Sequence, residues 1–149
     1  MNIMKRSGVL LAAVLAATVT LAQTPGDDAA IKEVVDRAYV QGVHIDGDPA
    51  KIRSGMHDSF IMLVRNGDQV TALTRDAWIE RIEKGKAQRK EEEKRPETKA
   101  EIDVIDRSGD TAVARVKLYR DGKQIFTDYI SLYRFDSGWK LVGKVFHRH

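Results

Sequence analysis

The second half of the chain alternates between polar and apolar residues, and short turns divide it into four segments. The turns centre on Gly109, on Asp121-Gly122 and on Gly138. A two-residue Asp-Gly turn favours a β-hairpin, because both positions adopt a positive φ angle that these residues tolerate. Segments joined by such short turns can pair only as antiparallel neighbours. The pattern therefore predicts an antiparallel meander of four strands, over residues 99–106, 111–120, 123–135 and 139–147.

The first half of the chain carries the patterns of three helices. Apolar residues recur at i, i+3, i+4, i+7 and i+8 from Ile31 to Tyr39, which defines one amphipathic face. Asp48-Pro49 is typical of a second helix start, with Asp as the cap and Pro in the first turn. Thr74 caps a third helix that carries Trp78 on its apolar stripe. The predicted helices cover 27–42, 48–58 and 74 onward, with a strand at 60–64 and a return strand at 70–73.

Helices packed on one face of such a curved meander make an α+β domain, and the turns predict which sheet residues face its core. Counting back from the Asp121-Gly122 turn places Arg115 opposite Asp128. The face that excludes these two residues carries no formal charge, so it is the predicted core face. It contains Tyr129 and Tyr133.

The last strand depends on the length of its turn, because a shift of one residue moves every side chain to the other face. A three-residue loop at 136–138 keeps the lysines of this strand off the core, and this is the predicted form. His147 then joins the core face. Lys144 joins Arg115 and Asp128 on the opposite face.

The first 22 residues have the layout of a secretory signal peptide. Lys5 and Arg6 precede an apolar run, and the small residues Thr20 and Ala22 fit a cleavage site before Gln23. A transmembrane anchor is the alternative, but the run is shorter than the ~20 residues that a span needs. We therefore expect an exported protein, periplasmic or extracellular, with a signal peptide at 1–22 and a single domain at 23–149.

Charge and cysteine content exclude several partners and sites. Loss of the signal peptide lowers the formal net charge from +3 to +1, so neither nucleic acid nor a membrane surface is an expected partner. The chain contains no cysteine, which excludes disulfides, a lipoprotein anchor and thiolate metal sites. Residues 84–95 are nearly all charged. We expect a solvated helix end or loop there, with a polyanion-binding patch as the alternative.

The residues of the last two strands resemble a known family. Residues 126–132, of sequence FTDYISL, and 138–147, of sequence GWKLVGKVFH, are similar to the putative lumazine-binding family of the nuclear transport factor 2-like superfamily. Met56-His57-Asp58 with Phe60 resembles that family's helix-end histidine segment, although the family commonly has proline where Asp58 stands. The resemblance spans residues 31–147. It implies a cone-shaped curved antiparallel sheet with three helices, the fold of SnoaL-like proteins and ketosteroid isomerases, with a ligand pocket at the open end of the cone.

The candidate ligand-binding residues are aromatic side chains expected to face this cone. His57 is the candidate general acid or base, and Tyr129 is the phenol that would stabilise an oxyanion. The alternative for His57 is an interaction with the last carbonyls of its own helix. For the other residues the alternative is core packing with one satisfied hydrogen bond. The full set is Tyr39, His57, Trp78, Tyr129, Tyr133 and His147.

A charged cluster of Arg115, Asp128 and Lys144 is predicted on the opposite face of the sheet. It is a candidate anchor for an anionic ligand, or a site for a catalytic carboxylate. The alternatives are ordinary ion pairs between neighbouring strands and a dimer interface across the sheet.

The loop after the first helix contains His44, Asp46 and Asp48, and the chain ends in His147 and His149. These are metal-binding residue types without a specific spacing, and Asp48 is already assigned as a helix cap. Neither a metal nor a cofactor is therefore predicted.

Three functions remain open. The first, and the one we favour, is an exported homodimeric module that binds a small apolar or aromatic ligand in its cone without catalysis. The second is a protein-interaction module whose cone is plugged by its own side chains. The third is an isomerase or dehydratase that transfers a proton through His57 with Tyr129 or Tyr39. The superfamily hosts enzymes and binding modules alike, so the fold alone does not choose between them.

Overall fold

The computed structural model describes residues 25–89 and 96–149. The predicted signal peptide and residues 90–95 of the charged run lie outside the described residues. The predicted order of two helices, a hairpin, a third helix and four strands is confirmed. The elements are α1 (Pro25–Val35), a π-helix (Asp36–Ile45), α2 (Pro49–Gly55), β1 (Met56–Asn66), β2 (Gln69–Thr74), α3 (Arg75–Gln88), β3 (Thr98–Ser108), β4 (Thr111–Arg120), β5 (Lys123–Phe135) and β6 (Gly138–Arg148).

The six described strands form one curved sheet that does not close into a barrel. Its order is β2-β1-β6-β5-β4-β3, and only β1 and β6 pair in parallel. Four of the five pairings contain a register shift, and such bulges bend a strand and increase its twist. The main core lies between the sheet and the helices. The predicted α+β cone is confirmed.

The starts of two helices follow the predicted capping residues. The side chain of Asp48 accepts a hydrogen bond from the Ala50 amide at 2.8 Å, and the Thr74 hydroxyl accepts one from the Ala77 amide at 3.3 Å. Each bond satisfies an amide that has no partner inside the helix. Local sequence therefore fixes where α2 and α3 begin.

The first predicted helix is regular as far as Val35 and then widens into the π-helix. In a π-helix each amide bonds to the carbonyl five residues earlier, so the residues that share a face differ from those of an α-helix. The widened segment buries Ala38, Tyr39, Val40 and Gly42. It also determines the position of His44, which is described below.

Helix α2 ends at Gly55, where it closely approaches the first helical segment. A Cβ atom on Gly55 would lie 2.5 Å from the Cβ atom of Ala38 and 2.8 Å from the Cγ2 atom of Val34, so only glycine allows this approach. The predicted end of the helix at 57–58 is wrong, because the chain turns into β1 at Met56. His57 therefore lies in a strand.

Gly55→Ala is expected to lower the free energy of unfolding by about 1–3 kcal/mol, because the added methyl group must push apart two packed side chains. Gly85→Ala is the matched control, since a Cβ atom there meets nothing within 4 Å. Alanine in that helical position should raise the free energy of unfolding by about 0.5–1 kcal/mol. Urea denaturation of both variants measures the two changes. If both substitutions changed the free energy of unfolding in the same direction, this account of the helix contact would be contradicted.

A β-bulge reverses the predicted faces of β5. The turn residues pair as predicted, but Ile125 is left out of the ladder, so Arg115 lies opposite Tyr129 rather than opposite Asp128. Tyr129 and Tyr133 are 44% and 47% exposed, whereas Asp128 has no exposed surface. The predicted core face of this strand is therefore wrong from the bulge onward, since one extra residue moves all later side chains to the other side.

A second bulge affects β6. The turn that precedes the strand has two residues, so the predicted three-residue loop at 136–138 is wrong. Val142 is left out of the ladder, and the faces change there. The first part of the strand faces the core as predicted. Beyond the bulge Lys144 is buried and His147 is exposed, which is the reverse of the prediction.

Candidate functional site

Three polar side chains from distant parts of the chain meet in the core. Tyr39 comes from the π-helix, Asp128 from β5 and Lys144 from β6. The Tyr39 hydroxyl donates to Oδ2 of Asp128 at 2.7 Å. The Lys144 ammonium donates to the Tyr39 oxygen at 2.9 Å and to Oδ1 of Asp128. We call Tyr39, Asp128 and Lys144 the core cluster. Each of its three side chains forms a hydrogen bond with the other two.

Aromatic rings surround the ammonium of this cluster. The Lys144 Nζ atom lies 4.4 Å from the ring centroid of Phe146 and 4.9 Å from that of Tyr39. The centroids of Trp78 and Phe126 are each 5.7 Å away. The negative faces of aromatic rings attract a cation at these distances. The rings therefore partly replace the water that the ammonium loses on burial.

Burial changes the protonation of the core cluster. Burial, followed by the charge of Asp128, raises the pKa of Tyr39 well above its usual range, so the phenol keeps its proton and acts as the donor. Burial lowers the pKa of Lys144, and the neighbouring carboxylate of Asp128 opposes that change. A buried ammonium is stable only with such a partner.

A cavity of about 420 Å³ lies beside the cluster. It is lined by the ends of the π-helix and of α3, the start of β3 and the end of β4. We call it the helix-end cavity and define it by His44, Ile82, Lys86, Arg89 and Arg120. Its volume lies in the range of small-molecule sites.

His44 lines the helix-end cavity and packs on the core cluster. Its ring meets that of Tyr39 edge-on, with centroids 4.8 Å apart and planes at 86°. Its Nε2 atom is shielded from solvent and has no hydrogen-bond partner among the described residues. Burial, followed by the charges of Lys144 and Arg120, lowers the pKa of His44 from 6.5 to about 3. The imidazole is therefore neutral at physiological pH, with unused hydrogen-bonding capacity.

Sequence reasoning considered His44 only as a weak metal ligand beside Asp46 and Asp48. Within residues 25–89 and 96–149, no three His, Cys, Asp or Glu side chains are placed to hold a metal ion. Asp48 is occupied as the cap of α2. No simple signal marks His44 as a cavity residue, because its position depends on the π-helix.

His57 lies in a different and smaller pocket of about 280 Å³. Its ring stacks on Phe135, with centroids 4.7 Å apart and planes at 9°. Its Nδ1 atom lies 2.7 Å from the Ser59 hydroxyl and 2.8 Å from Oδ1 of Asp58. Among the described residues, His57 is held by its own strand and one ring, and it contacts neither the core cluster nor the helix-end cavity.

The remaining predicted site residues divide between the two faces of the sheet. Tyr39 and Trp78 lie inside, in the cluster and its aromatic surroundings. Tyr129, Tyr133 and His147 lie outside, contrary to the predicted face assignment. Arg115 also lies outside and pairs with Asp103 at 2.9 Å, so the predicted cluster of Arg115, Asp128 and Lys144 is split. Whether any of these residues binds a ligand stays a prediction.

The curved sheet packed on three helices defines an NTF2-like fold. A protein of this class from Shewanella baltica, of unknown function, is 22% identical and has a TM-score of 0.66 over 85% of this chain and 97% of its own. One from Silicibacter pomeroyi, also of unknown function, is 21% identical, with a TM-score of 0.63 over 81% and 94%. A cystatin-like domain of unknown function from Nostoc punctiforme is 14% identical, with a TM-score of 0.60 over 85% and 80%.

Within this class the chain belongs to the putative lumazine-binding family, whose model matches residues 26–147. The resemblance inferred from the last two strands is therefore confirmed. No curated protein matches the chain. Among the helices in residues 25–89 and 96–149, none is both long and apolar enough to cross a membrane.

Proposed function

We propose that this protein binds a small, flat ligand in the helix-end cavity and does not transform it. The observation that carries the proposal is the combination of a 420 Å³ cavity with the neutral imidazole of His44 in its wall, whose Nε2 atom has no hydrogen-bond partner in the described part of the chain. Ligand sites in proteins combine apolar surface with convergent polar groups, and this cavity has both, with Val43 and Ile82 beside several charged side chains. The family name supports a heterocyclic ligand.

A hydrogen bond to His44 would fix the orientation of such a ligand in the cavity. A buried polar atom without a partner costs about 1–3 kcal/mol relative to a satisfied one. A ligand with a hydrogen-bonding edge would recover part of that free energy if the imidazole ring turned toward it. The edge-on contact of His44 with Tyr39 leaves the ring at the boundary between cavity and core.

The position of the acid–base groups favours binding over catalysis. Tyr39 and Asp128 have no exposed surface, and neither lines the helix-end cavity. Their hydrogen bonds are already used within the core cluster. An isomerase was expected to use His57 with Tyr129 or Tyr39, but His57 lies in a separate pocket and Tyr129 lies on the outer face of the sheet. A catalytic group must reach the reacting atom, and these groups do not meet at one site.

A second candidate function is interaction through the outer face of the sheet. Ile61, Leu63, Tyr129 and Val145 are 40–47% exposed there on three neighbouring strands. Exposed apolar residues that cluster in this way are typical of protein interfaces. The expected homodimer would use this face, and the mass of the protein in solution tests it. A strictly monomeric mass would exclude the dimer.

The binding proposal predicts a ligand-induced rise in melting temperature that depends on His44. Flat heterocycles, including lumazine and flavins, form the test library. A ligand at a hundredfold excess over its dissociation constant stabilises the folded state by about 2.7 kcal/mol. His44→Ala should greatly reduce the ligand-induced rise, because it removes the imidazole that is proposed to bind and orient the ligand.

His57→Ala is the matched control, since it removes the histidine of the other pocket and should leave the rise unchanged. Each variant is compared with and without ligand, so that its own change in stability cancels. A rise that survives His44→Ala and disappears with His57→Ala would move the site to the His57 pocket and sink the proposal. A library without any hit would favour the interaction function.

A further inference from the structure

The cationic side chains around the helix-end cavity have few partners. The Lys86 ammonium donates to the Gly47 carbonyl at 3.0 Å and forms no ion pair with a described residue. Arg89 and Arg120 make no side-chain hydrogen bond or ion pair with any residue in the ranges 25–89 and 96–149. Arginine presents a planar set of donors that matches carboxylate oxygens.

The acidic residues of the cavity wall are neutralised from outside it. Asp46 forms an ion pair with Lys51, and Glu97 forms one with Lys99 at 2.9 Å. Neither lysine lines the cavity. The described wall therefore has a surplus of positive charge.

Arg120 is placed to act on a bound ligand together with His44. Its charge is one cause of the low pKa of His44, so the field of the guanidinium reaches the part of the wall that the imidazole forms. Because His44 is neutral, the positive charge in this part of the wall comes from Arg120 and not from the imidazole. Ile82 and Val43 add an apolar surface. A flat ring could pack against the apolar surface and contact the neutral imidazole, with a negative group directed toward Arg120.

We infer that the helix-end cavity selects anionic aromatic or heteroaromatic molecules over neutral ones of the same shape. This inference rests on the proposed function, because it names the chemical class of ligand at the same site. Solvent screens exposed arginines, so the selectivity is modest and depends on salt.

Naphthoate and naphthamide form the test pair, because they share a ring system and differ in charge. Titrations of the purified protein followed by NMR chemical shifts give both dissociation constants. At low salt naphthoate should bind about fivefold more tightly than naphthamide, and added salt should reduce the difference. Arg120→Gln should remove the preference while both compounds still perturb the His44 region.

Lys123→Gln is the control, since it removes the same charge on the other strand of the β4–β5 hairpin from a residue that does not line the cavity. It should retain the preference. Equal affinities for the two compounds, both dependent on His44, would overturn the charge inference and leave the binding function intact. If neither compound perturbs the cavity at millimolar concentration, both the inference and the proposed function fail for this class of ligand.

Discussion

Asp128→Ala is expected to lower the free energy of unfolding by about 3–5 kcal/mol, the largest effect of any single substitution considered. The substitution removes the carboxylate but leaves the Lys144 ammonium without its counter-ion. Lys144 is only 6% exposed, so water cannot replace the lost partner. Tyr39 loses the acceptor of its hydroxyl at the same time. A buried charge without a partner is far less stable than one that is paired.

Chemical denaturation of three further variants separates this cause from simple loss of packing. Asp103→Ala removes a carboxylate that pairs with Arg115 on the solvated face and should change stability little. Lys144→Met in the Asp128→Ala background should recover much of the loss, because no charge is then buried. Tyr39→Phe should have an intermediate effect. If Asp128→Ala were no more destabilising than Asp103→Ala, the core cluster would not be the ion pair described here.

The second large effect is a loss of stability in acid that depends on His44. Its pKa falls from 6.5 to about 3 on folding, so the unfolded chain binds a proton that the folded protein does not bind between these values. The part of the unfolding free energy that depends on neutral His44 is therefore fully present above pH 6.5. It is lost progressively as the pH falls from 6.5 toward 3. At pH 5 the loss amounts to about 2 kcal/mol.

His44→Phe should remove this loss while keeping a ring beside Tyr39 and Phe126, whose ring centroids lie 4.8 and 6.5 Å from that of His44. The measured quantity is the change in unfolding free energy between pH 7 and pH 5, which should be about 2 kcal/mol smaller in the variant than in the parent. His57→Phe, the matched control, keeps His44 and should therefore keep the loss of stability that depends on it. If His44→Phe kept the parental pH dependence, the pKa of the His44 imidazole would not be lowered by folding.

Local signals predicted the elements well. Asp48 and Thr74 cap helices because their side chains bond the first free amides, and Asp121-Gly122 makes its hairpin because both residues adopt a positive φ angle. These features depend on a few neighbouring residues. For that reason they can be predicted without knowledge of the rest of the chain.

The faces of β5 and β6 could not be predicted in the same way. Ile125 and Val142 bulge, and nothing in their immediate sequence distinguishes a bulge from a regular pair. The rule that charges avoid the core then pointed to the wrong face. Asp128 is buried because Lys144 and Tyr39 are buried with it, and that compensation comes from residues distant in sequence.

The candidate site was missed for a related reason. In an α-helix, residues five apart point about 140° away from each other, so Tyr39 and His44 would not be expected to meet. The π-helix brings their rings within 4.8 Å. π-helical turns are frequent at functional sites, yet amphipathic periodicity does not reveal them.

The parallel pairing of β1 with β6 has a consequence for how the chain reaches its fold. β6 is the last strand described, yet it lies in the middle of the sheet between β1 and β5. Until it inserts, the β1–β2 hairpin and the β3–β4–β5 unit have no strand between them, and each keeps an open edge. Lys144, which completes the core cluster, arrives on the same strand. Contacts between such distant segments form slowly, so a growing chain remains without its central strand until residues 138–148 have been synthesised.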